Sequence, residues 1–237
     1  MSKKKSRKRK RSAFSAGEFA AEAAYADSIF REAIGDMQGS MEALRRALEF
    51  KPDYAPAVLS LGSVEYQLGH RAEGRKLLLS LLSMQQSDWM EIVDKAGTFL
   101  IHSKRYADGL ELYRAAAERC PDVGVFHQGI GCCADHLGCH EEALEASRRA
   151  VELEPDNQRF VNDLGWTLYL SGSLQEARAM LERAVAMDPT DELTRENLRF
   201  CDAKLARRLR KSTRPGVASA QRKGTSVARA SARTDAR

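Results

Sequence analysis

Five side chains able to bind a metal or exchange electrons stand within nine residues: Cys132, Cys133, His136, Cys139 and His140. Thiolate and imidazole are common zinc ligands, and paired thiols form the usual redox couple. Cys132 and His136 lie four apart, so they share a face if this stretch is helical. The spacing matches no standard zinc motif, and Cys139 and His140 fall where a turn is expected. Cys133 follows Gly131 by two residues, at a usual small core position. The reading is therefore structural or incidental cysteines, with a metal- or redox-responsive protein as an alternative. No cofactor is expected. The chain also lacks a Gly-x-Ser-x-Gly elbow, a phosphate-binding glycine loop and a His-Glu-x-x-His pair. Glu141, Glu142, Glu152 and Glu154 read as solvated helix faces, and no enzyme is expected.

The elements that would carry such residues are set by a period. Pro121, Pro155 and Pro189 are 34 residues apart, and each closes an Ala-rich helical pattern. One copy reads Val161, Leu164-Gly165, Leu168, Gly172, Ala177, Leu181, Ala184 and Pro189. One period earlier stand His127, Ile130-Gly131, Ala134, Gly138, Ala143, Ser147, Ala150 and Pro155. Earlier again come Val93, Ala96-Gly97, Leu100, Lys104, Gly109, Tyr113, Ala116 and Pro121. A fourth copy, from Val58 through Leu61-Gly62, Gly69, Gly74 and Leu78, is offset by one extra residue and has Gln86 in place of the proline. The first copy runs through Ala24, Asp27-Ser28, Arg31, Gly35, Ser40, Leu44, Ala47 and Pro52. There Asp27 and Arg31 take positions that should be apolar, so the first helix is expected to pack unusually. A fixed period of this length marks a stacked helix-turn-helix array. The phase predicts helices near 55–68 and 71–85, 90–103 and 106–119, 124–137 and 140–153, and 158–171 and 174–187. Small residues sit where paired helices approach, and the prolines follow helices they cannot continue.

The pattern resembles the tetratricopeptide repeat over about residues 21–191. The resemblance implies an all-α, right-handed superhelical solenoid of antiparallel helix pairs. The chain then divides into a tail at 1–15, a degenerate repeat at 16–54, four repeats at 55–191, a capping helix at 192–211 and a tail at 212–237. The cap follows from apolar side chains at Leu193, Leu198, Cys201, Leu205 and Leu209, because a solenoid needs an end piece. In this family the first helix of each pair lines a concave groove. Carried over, the groove includes Tyr66, Gln67, Asp94, Thr98, His102, Gln128, Cys132, Asp135, His136, Asn162, Trp166 and Tyr169. Its mix of aromatic, amide and acidic groups suits a protein or peptide ligand, and the implied function is a non-catalytic interaction scaffold or adaptor. Packing of Trp166 and Tyr169 against the cap is the structural alternative. Some relatives hold a chaperone's C-terminal carboxylate in a Lys/Asn/Arg clamp. Ser63, Asp94 and Gln128 stand at the matching positions, so that mode lacks its cations.

Charge is segregated along the chain. Residues 1–12 carry +8 and residues 203–237 carry +10, which leaves −13 for the remainder of a chain whose net charge is +5. The N-terminal run and the chain after Arg210 lack large apolar side chains and read as disordered. They could bind nucleic acid, giving an adaptor associated with RNA or DNA, or merely shield the acidic domain. No aromatic residue interleaves the charges, which favours shielding. No apolar run is long enough to span a bilayer, and the basic start lacks the apolar segment of a secretory signal. A cytoplasmic protein is expected, or a nuclear one if the source is eukaryotic.

Overall fold

The structure, a computed structural model, describes residues 15–213. The tails before and after them, with the disorder and nucleic-acid readings attached, lie outside the described residues. Ser15 starts the first helix with a capping box, its hydroxyl accepting from the Glu18 N–H while Glu18 accepts from the Ser15 N–H. Helices then follow in antiparallel pairs: α1 (Ala16–Ala33) with α2 (Met37–Phe50), α3 (Ala55–Gln67) with α4 (Arg71–Ser80), and α5 (Trp89–His102) with α6 (Tyr106–Arg119). Next come α7 (Gly124–Leu137) with α8 (His140–Leu153), α9 (Gln158–Ser171) with α10 (Leu174–Met187), and a final α11 (Glu192–Thr213). No strand occurs among the described residues. Neighbouring first helices α3, α5, α7, α9 and α11 touch in succession, whereas α4 and α6 alone make comparable contact among the second helices. The array therefore curves towards the first helices, and their free face is the inner one.

Pairs close tightly because small residues face large ones across them. Leu78 packs over Gly62, Ser147 over Gly131 and Leu181 over Gly165. At the centre Tyr113, 1% exposed, has its ring between Gly97 of α5 and Gly129 of α7, where a Cβ on either glycine would overlap the ring. The Tyr113 hydroxyl donates to Asp94 Oδ1 at 3.0 Å, and Phe126 closes the cluster. Each first helix ends in a residue with left-handed backbone geometry: Gly35, Gly69, Gly138 and Gly172, and in the fifth case Lys104 at φ 58°. A side chain there crowds its own backbone, which is why glycine holds the other four.

One expectation is corrected. The helix expected over 71–85 ends at Ser80 and gives way to a short 3-10 turn, Leu81–Ser83. The extra residue and the missing proline leave this segment irregular, and an aromatic anchor holds it. The Trp89 indole N–H donates to Leu81 O at 2.8 Å, and Arg119 lies 4.0 Å over the indole while donating to Leu82 O and Met84 O. The first pair, in turn, keeps the common frame: Ser28 is buried where the glycine stands in later copies. Asp27 and Arg31 replace an apolar contact with an ion-pair group that includes Arg46 and Asp36.

Successive second helices are also bridged by pairs of opposite charge. Arg75 meets Glu111, Arg114 meets Glu142, Arg148 meets Glu176, and Arg178 reaches Asp202 of α11. These pairs are exposed and screened by solvent, so each contributes little to stability.

Three substitutions check this packing by urea denaturation. Gly97→Ala should lower stability by about 1–2 kcal/mol net, because overpacking outweighs the helix-propensity gain of about 1 kcal/mol. Lys104→Gly should raise it by about 0.5–1 kcal/mol by relieving the left-handed residue. Ala177, fully buried, tolerates no charge: Ala177→Glu should cost several kcal/mol.

Candidate functional site

The inner faces of α7 and α9 are built from side chains spaced three and four apart. On α7 these are Gln128, Cys132, Asp135 and His136; on α9 they are Arg159, Asp163, Trp166 and Leu170. Together with Ser147, Thr167 and Leu193 they line an open concavity of about 580 Å³. Its floor is polar and bonded. Gln128 Nε2 donates to Asp163 Oδ2 at 2.8 Å, and Asn162 Nδ2 donates to Asp163 Oδ1 at 3.2 Å. Asn162 is itself buried and held by Asn197 of α11 at 3.0 Å. Thr167 donates to Asp135 Oδ2 at 2.5 Å, and Arg159 reaches Gln128 Oε1 at 3.5 Å. One wall is aromatic. Trp166, half-buried, stacks on Tyr169 with ring centres 4.8 Å apart and meets the edge of Phe200. Lys204 of α11 sits 4.1 Å over Tyr169 and donates to its carbonyl.

The residues carried over by the family alignment thus separate into groups. Gln128, Cys132, Asp135, His136 and Trp166 share the concavity. Asn162 lies beneath it, and Tyr169 is covered on one side by the cap. Tyr66 is a correction: it is buried, with its ring against Phe99 and over Gly74, whose missing side chain makes the room. Asp94 and Thr98 are half-buried, Asp94 being occupied by Tyr113; Gln67 and His102 are exposed at helix ends. Sequence reasoning passed over Arg159, Asp163, Leu170 and Leu193. The first three form a single stripe with Trp166 at i, i+4, i+7 and i+11, a signal present in the sequence but rotated by one position from the aligned one.

The Cys/His cluster does not converge. Cys133 is buried against Gly109, Cys139 and His140 are exposed at the turn, and the His136 ring stacks on Tyr106 at 4.0 Å. Among the described residues no group of three or more His, Cys, Asp or Glu could hold a metal ion. Burial, reinforced by Asp163 and Asp135, pushes the Cys132 thiol up to about 11; burial pushes Cys133 up to about 12. Both are therefore protonated at neutral pH and poor nucleophiles. Burial also holds the Asp163 carboxyl above its ordinary range, against the hydrogen bond from Gln128 and the charge of Arg159.

Paired helices in a 34-residue repeat, stacked with one concave face and closed by a cap, define a class of helical solenoid. Residues 136–195 match the tetratricopeptide repeat family in sequence, and the described array as a whole has the tetratricopeptide fold. A crystal structure of YrrB, described as a TPR protein with an unusual peptide-binding site, superposes with a TM-score of 0.53 at 19% identity, covering 78% of this chain and 98% of that one. MamA 41-end from Desulfovibrio magneticus RS-1 gives 0.54 at 16% identity, covering 76% and 99%. No curated protein matches the chain in sequence.

Thiol accessibility checks the site's chemistry. At pH 7.5 a disulfide reagent should modify exposed Cys139 first. Cys132 and Cys133, whose thiolate fraction is lower by roughly two or more orders of magnitude than that of a free thiol, should react fully only on unfolding. Rapid native labelling of Cys132 would restore the redox reading.

Proposed function

We propose that this chain is a non-catalytic adaptor that holds a segment of another protein in the groove between α7, α9 and the start of α11. The observation that carries this reading is the half-buried Trp166 beside a concavity whose polar floor is hydrogen-bonded except at Asp135 Oδ1. A volume of about 580 Å³ has the scale of a few side chains, and its open shape suits a chain passing through. The fold agrees with it: YrrB, of the same architecture, is described as having a peptide-binding site. No described helix is long and apolar enough to cross a membrane.

Partially exposed tryptophan is a frequent anchor at interfaces, and its truncation typically removes about 2 kcal/mol or more. With a bound peptide or partner in hand, Trp166→Ala should therefore weaken binding by about 30-fold, as read by fluorescence anisotropy, while the helical circular dichroism stays the same. Unchanged affinity in both Trp166→Ala and Tyr169→Ala would move the site to another face.

A further inference from the structure

We infer that the groove reads a cation: the segment it takes places an arginine side chain between Asp135 and Asp163, against the face of Trp166. This rests on the groove reading above and names what the groove selects. The first ground is charge. Residues 13–202 carry −13, and two carboxylates from neighbouring helices enter the groove while Arg159 is its one lining lysine or arginine among the described residues. The second is an unfilled bond. The Asp135 side chain is 9% exposed; Oδ2 accepts from Thr167, but Oδ1 is buried without a hydrogen bond, with His140 Nδ1 in the nearest ion pair at 3.5 Å. An oxygen buried in this way carries a desolvation penalty, which a donor in the groove would remove once the Asp135 carboxyl turns to meet it. A threonine partner alone does not require a carboxylate at this position.

Asp163 adds to the same demand. Among the described residues its oxygens accept from the amides of Gln128 and Asn162, and burial disfavours its charge. Adjacent positive charge would offset that burial. The aromatic wall completes the site, since a guanidinium lies flat on an indole and offers donors in its own plane to carboxylates at its edge. The chain already uses this chemistry internally, with Arg119 over Trp89 and Lys204 over Tyr169. Exposed Leu170 and Leu193 flank the aromatic wall, so the residue next to the arginine should be apolar. A carboxylate ligand would face two acids and a single cation.

A random dodecapeptide library selected on the full chain tests this. Peptides that bind should be enriched in arginine over lysine, with a neighbouring Leu, Ile or Phe. Replacing that arginine by citrulline keeps the shape and removes the charge, and should weaken binding by about tenfold or more. Asp135→Asn and Asp163→Asn should weaken the arginine peptide to a similar degree, whereas Asp122→Asn, on an exposed loop, should not. The citrulline arm needs no protein variant, so it stands even where a variant folds poorly. Peptides that depend on Trp166 but show no arginine enrichment and no citrulline effect overturn the cation reading and leave the groove in place. An equal loss in Asp122→Asn also overturns it, since overall acidity then explains the binding. If no selected peptide depends on Trp166, the groove itself falls.

Discussion

The array depends on one ring held between two backbones. Tyr113 fills the gap left by Gly97 on one side and Gly129 on the other, so a single side chain of α6 fixes the approach of both α5 and α7. Elsewhere the same role is divided: Leu78, Ser147 and Leu181 each serve one glycine within their own pair. The centre of the solenoid therefore joins packing within a pair to packing between pairs. The main cluster of buried apolar side chains runs continuously from α3 to α8 around it. Because α7 is positioned by that contact, so are Gln128, Cys132 and Asp135, which project from another face of the same helix.

Much of this was written in the period. The positions of eight helices from 55 to 187 follow from where glycine, alanine and proline recur, since each of those residues is restricted by local geometry. Lys104 shows how strong that constraint is. It occupies a glycine position in the alignment, and its backbone adopts the left-handed form regardless. The period could not show what replaces it where it breaks. The extra residue and the missing proline mark an irregularity in this copy but not that α4 stops at Ser80, where the chain is held by Trp89 and Arg119 of the following repeat. Distant contacts of this kind leave no trace in local spacing.

The groove was legible in part for the same reason. Family alignment gives the helices and nearly the face that lines the concavity, but one position on a helix is a rotation of 100°. Tyr66 turned inward because Gly74 left a hole for its ring; Asn162 turned inward because Asn197 of the cap met it. Asp163 and Arg159 then occupy the free face. A reading that tracks side-chain vacancies on the partner helix, as well as spacing along one helix, would have separated these cases. The Cys/His cluster illustrates the converse. Five reactive side chains close in sequence are dispersed by a helix and a turn into a core position, a groove wall and a solvent-facing corner.

The cap has a consequence for recognition. A periodic surface is nearly unchanged by a shift of one unit, so a ligand laid along it meets several similar registers and can slip between them. The α11 helix takes the place of a further first helix but has no repeat sequence, and it contributes Leu193, Asn197, Phe200 and Lys204 at the seam with α9. That seam has no counterpart further up the array. It breaks the translational symmetry once, at a defined point; a segment held in the proposed groove would take from it a single address from which the rest of its path is counted.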